Sequence, residues 1–90
     1  MKQERARAIG QEALIWLAGD PEAFGTFLDS SGMPAASVRD GAEDPAFLGF
    51  VLDFVLASDA SVLAFAEAAG LRPEEPGLAR VVLGGEPHWT

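Results

Sequence analysis

His88 is the only histidine of this 90-residue chain and cysteine is absent, so one copy can build neither a two-histidine metal site nor a thiolate centre. A Ser-His-Asp arrangement would have to recruit His88 from the C-terminal tail. Asp40, Glu43 and Asp44 form the densest acidic cluster, with the oxygen ligands that calcium or magnesium takes. Their spacing matches no EF-hand loop, and Asp44 directly precedes Pro45, where a carboxylate caps a helix. The cluster reads as a solvated loop. Asp53 lies inside the apolar run Ala46 to Ala57, where an unpaired carboxylate would be costly to bury. It shares a narrow stripe with Ala46, Gly49 and Ala57, and that stripe is expected to face solvent. The alternatives are an arginine partner, Arg39 or Arg80, and a functional carboxylate. No catalytic, cofactor-binding or metal-ligating residue is assigned, and the chain is not expected to be an enzyme, because only carboxylate acid-base chemistry is open to this inventory.

The charge balance narrows the classes further. Fourteen acidic residues against six basic ones leave a net charge of −8, which repels phosphate backbones and anionic lipid. Neither nucleic acid nor membrane is an expected partner. Lys2, Arg5 and Arg7 precede the apolar Ala13-Leu14-Ile15-Trp16-Leu17-Ala18, which resembles a signal peptide only superficially: the run is short, follows Gln11-Glu12 and leads into a helix start. The longest apolar stretch, Ala46 to Ala57, is too short for a bilayer. A soluble, uncleaved, cytoplasmic protein is the expectation.

The elements that must position these residues are helices. Ile9, Ala13, Trp16 and Leu17 fall on one stripe of a first helix over about 2–18. Leu17-Ala18-Gly19-Asp20 recurs as Leu56-Ala57-Ser58-Asp59, and each is followed by an apolar helix closing at Gly32-Met33 or Gly70-Leu71, where a left-handed glycine and a Schellman contact are expected. Asp20-Pro21 and Asp44-Pro45 are matching cap-plus-proline starts. Phe24, Phe27 and Leu28 share a face of the second helix, and a short third runs from Pro34 to about Asp40, anchored by Val38. The fourth, about residues 45–57, is apolar around most of its circumference through Phe47, Leu48, Phe50, Val51, Leu52, Phe54, Val55 and Leu56, so it belongs at the centre or in an interface. The fifth starts at Asp59 and buries Val62, Phe65, Ala66 and Ala69, with Leu63 at the edge. Pro76 opens the sixth, whose buried face is expected to be Leu78, Val81 and Val82, and Gly84-Gly85 ends it.

The fold class is therefore all-α, a compact bundle of five or six short helices in one domain over 1–85, with a tail at 86–90. Helices one to three and four to six repeat their caps at a spacing of about 38 residues, either as an internal duplication or as grammar that any helical bundle shares.

The blocks Ala13-Leu14-Ile15-Trp16-Leu17-Ala18 before Asp20-Pro21, Asp44-Pro45-Ala46-Phe47-Leu48 into Val51-Leu52-Asp53-Phe54-Val55-Leu56, Phe65-Ala66-Glu67-Ala68-Ala69-Gly70-Leu71 and Gly85-Glu86-Pro87 resemble the domain of unknown function 3572 family of small, uncharacterised alphaproteobacterial proteins. The resemblance covers nearly the whole chain. Pro76-Gly77 departs from it and shortens the last helix. It implies a stand-alone cytosolic helical protein, and it brings no activity and no functional residue with it.

The function expected is a protein-interaction or scaffold module, binding an unidentified partner or itself as a homodimer. Its contact residues are expected to be Phe47, Phe50, Phe54 and Trp89. Trp16, at core spacing, is assigned to the interior, whereas Trp89 is either a latch or a partner anchor. The alternative is a helix-turn-helix-like nucleic-acid-binding or regulatory protein, with Phe27-Leu28 to Gly32 followed by Val38-Arg39; Arg39 beside Asp40 makes a poor recognition helix.

Overall fold

The computed structural model describes residues 1–84, apart from the side chains of Ala35 and Arg39. His88, Trp89 and the tail at 86–90 therefore lie outside the described residues, as does Arg39 as a partner for Asp53. Six helices follow in order: α1 (Gln3–Ala18), α2 (Pro21–Ser31), α3 (Ala35–Gly41), α4 (Pro45–Val55), α5 (Asp59–Ala69) and α6 (Glu75–Leu83).

Local chemistry sets their limits. Asp20 Oδ1 accepts from the backbone N–H groups of Glu22 and Ala23 at 3.1 and 3.3 Å, Asp44 Oδ1 from that of Ala46 at 3.0 Å, and Ser58 Oγ from that of Ser61 at 3.1 Å. Each satisfies donors that the first turn leaves without a helical partner. Gly32 and Gly70 both close their helices at φ 69°, a conformation that a Cβ disfavours. The two closures differ in detail. Leu71 N–H reaches back to the Ala66 carbonyl at 2.8 Å, completing a Schellman motif after α5. After α2, Met33 N–H donates instead to Ser31 Oγ at 3.1 Å, and Gly32 N–H alone closes on Leu28 at 2.9 Å. A serine in the last turn has displaced the expected Schellman bond.

The core is assembled on α1, α4 and α6, which pack against one another, with α2 and α5 laid on α1. Ile9, Ala13 and Leu17 of α1 meet Leu48, Val51, Leu52 and Val55 of α4, and Phe27, Phe65, Ala79 and Leu83 complete the cluster. The central position expected for the fourth helix is shared with α1. Gly10 makes this possible, since a Cβ there would stand 2.9 Å from Leu48 Cβ. Gln11 Nε2 adds a hydrogen bond of 3.0 Å to the Ala42 carbonyl, tying α1 to the turn before α4.

The face of α6 differs from expectation. Pro76, Ala79, Arg80 and Leu83 point inward, whereas Leu78 is 50% and Val81 77% exposed, and Val82 is only partly buried. The inward set is itself a regular helical stripe, but it contains an arginine that a hydrophobic criterion sends to the surface. The apparent repeat is clearest between α2 and α5. Each has 11 residues, side-chain caps at Asp20 and Ser58, left-handed glycines, and a fully buried phenylalanine at the same register, Phe27 and Phe65. The third helices of the two halves differ, with 7 residues in α3 and 9 in α6.

Candidate interaction surface

Asp53 lies on the inner side of α4, 4% exposed, and not at a solvent-facing edge. Arg80 of α6, 8% exposed, donates from Nε to its Oδ1 at 2.6 Å and from Nη1 to the Gly84 carbonyl at the end of α6. The guanidinium rests over Gly49, where a Cβ would stand 3.5 Å from Cζ. The Gly49–Asp53 stripe is thus a seat for Arg80. Of the two arginines considered as partners from sequence, Arg80 occupies it. Enclosed between helices, the pair is part of the packing between α4 and α6, and removing one member leaves a buried charge.

The phenylalanines of α4 converge on α2. Phe27 is fully buried, with ring centroids 5.3 Å from Phe50, 5.5 Å from Phe54, 6.1 Å from Phe47 and 6.3 Å from Phe24. Edge and tilted pairs of this kind add to the burial itself. Of the contact residues expected from sequence, Phe47 is buried and Phe50 and Phe54 are half-buried, so the structure brings all three together around one ring. Phe47 and Phe50 also line a shallow cleft of about 450 Å³ with Ser30, Ser31, Met33, Asp44 and Ala46. Trp89, the fourth, is outside the described residues.

Other apolar side chains reach the surface. Ile15 is 71% exposed, and Leu63, Leu78 and Val81 are exposed as well. Ile15 falls off the stripe of Ile9, Ala13, Trp16 and Leu17, which is the sequence clue to its outward position. Nothing of the kind marked Val81, because its exposure follows from the inward turn of Arg80. Beside Ile15, a cleft of about 280 Å³ opens between α1 and α5, lined by Glu12, Ile15, Trp16, Phe65, Ala68 and Ala69. Trp16 is half-buried there and not enclosed, its ring 5.6 Å from that of Phe65.

The acidic cluster is exposed at Asp40, Glu43 and Asp44, and Asp44 is occupied as a cap. Among the described residues, no three His, Cys, Asp or Glu side chains stand together as a metal would require. No single helix there is long and apolar enough to cross a membrane; α4 and α5 match a span jointly in length and composition but meet at 116°. A family model described as "Protein of unknown function (DUF3572)" matches residues 3–86. No curated protein and no solved structure matches the chain.

Proposed function

The chain belongs to the DUF3572 family, and from that premise we propose that it is a small cytoplasmic interaction module, which presents apolar surface to a partner protein or to a second copy in a homodimer. The observation that carries this reading is the placement of large apolar side chains outside a core that is closed without them. Ile15 and Val81 are 71% and 77% exposed, while the buried cluster draws on other faces of the same helices. Ile15 also lines the cleft between α1 and α5, and an exposed apolar side chain beside an apolar cleft is a feature of binding surfaces. The net charge of −8 keeps such a surface soluble and favours contact over nonspecific aggregation. Binding, and not catalysis, is what these groups are suited to, because the buried Asp53–Arg80 pair is enclosed between helices.

The test is site-specific photo-crosslinking in the native cell, with the reactive group placed at position 15, at position 81, or at position 29 on an exposed face of α2. A discrete adduct from 15 or 81, absent from 29, supports the reading. Light scattering over a concentration series then separates a second copy from another protein. If all three positions give the same diffuse labelling and the mass stays monomeric throughout, the module reading fails.

A further inference from the structure

The cleft between α1 and α5 has an electrical character as well as an apolar one. Ile15 and Trp16 belong to the last turn of α1, and Ala68 and Ala69 to the last turn of α5, so the cleft lies where both helices end. A helix C-terminus carries roughly half a negative elementary charge, which a lysine or arginine in the last turn commonly offsets. Neither last turn contains a basic residue. Glu12, the one charged side chain in the lining, adds a full negative charge. From Ala8 to Leu71 the sequence holds a single basic residue, Arg39, and Arg72 follows beyond the Gly70-Leu71 closure of α5, outside the lining of the cleft.

An apolar floor with this rim favours a particular kind of occupant. Resting on the interaction reading, we infer that the cleft takes a cationic amphipathic helix from a partner protein. One large apolar side chain rests against the open side of Trp16, over a floor closed by Phe65, and lysine or arginine side chains beside it face Glu12 and the two helix ends. Recognition of this type reads an apolar anchor and its flanking charges at helical spacing. A second copy of this chain fits the cleft poorly, because it brings the same net charge of −8 to a rim that is already negative.

The probe is a synthetic peptide of about four helical turns with leucine on one face and lysine on its flanks, compared with a version carrying glutamate for lysine. The protein carries Trp89→Phe, so that Trp16 is its only tryptophan and reports the cleft. The expected result is saturable one-to-one binding of the lysine peptide with a blue shift of Trp16 emission, and no binding of the glutamate peptide. Glu12→Lys and Ala68→Lys should each weaken binding about tenfold, whereas Asp29→Lys, the same change of sign outside the lining, should leave it within about twofold. Circular dichroism establishes that each variant is folded. Equal weakening by Asp29→Lys would mean diffuse charge attraction and would overturn the inference. Absence of binding would also overturn it; if position 15 or 81 nevertheless gave a discrete crosslink, the module reading would survive with another occupant.

Discussion

The Arg80 guanidinium donates to the Asp53 carboxylate at 2.6 Å across a sequence separation of 27 residues, and this buried pair joins α6 to α4. Seating Arg80 over Gly49 turns Ala79 and Leu83 into the core and leaves Leu78 and Val81 at the surface. The buried stripe of α6 is thus Pro76, Ala79, Arg80 and Leu83, with the charge of its one arginine matched by Asp53.

Breaking that pair should be costly, and replacing it whole should not. Arg80→Ala leaves the Asp53 carboxylate buried and is expected to destabilise the fold by about 3–5 kcal/mol. The joint change Asp53→Leu with Arg80→Met removes both charges and is expected to be neutral or stabilising by about 1–4 kcal/mol. Urea unfolding with an unchanged slope measures both. A double variant no more stable than Arg80→Ala would show that the pair is not acting as a compensated unit.

Glycines in three helices should respond to alanine with different signs. At Gly10 a Cβ meets Leu48 Cβ at 2.9 Å, an atom fixed close to the backbone, so Gly10→Ala is expected to cost about 1–3 kcal/mol by forcing α1 and α4 apart. At Gly25 nothing lies within 4 Å, and at Gly49 the nearest atom is 3.5 Å away. Alanine at either of these is expected to stabilise by about 0.5–1 kcal/mol through helix propensity. Thermal melts of the three variants give the ordering directly.

Phe27 should be the most sensitive aromatic position. It is fully buried and meets four other rings, so Phe27→Ala is expected to cost about 3–5 kcal/mol. Phe50→Ala, at a half-buried ring facing the shallow cleft, should cost less in the same denaturant titration.

Surface positions should separate stability from association. Ile15→Asp and Val81→Asp touch side chains that stand largely in water, and each is expected to cost no more than about 1 kcal/mol, the effect of an acid in the last turn of a helix. Any loss of crosslinking or change of solution mass in these variants then reports on contact and not on folding. A large drop in unfolding midpoint for Val81→Asp would mean that α6 buries that side chain after all.

What the sequence determined by itself was local. The caps at Asp20 and Asp44, the glycine closures at Gly32 and Gly70, the all-helical class and the family were legible there, because each depends on backbone groups a few residues away or on the order of such blocks. The tertiary structure alone decided which way α6 faces, where Asp53 points and which apolar side chains are left outside. Asp53 on its small-residue stripe reads as solvent-facing until Arg80 arrives from another helix, and Val81 reads as core until that arginine takes the inward side. A carboxylate's preference for water is a property of the residue, but its burial is a property of the pair, and the pair exists only once α4 and α6 have packed.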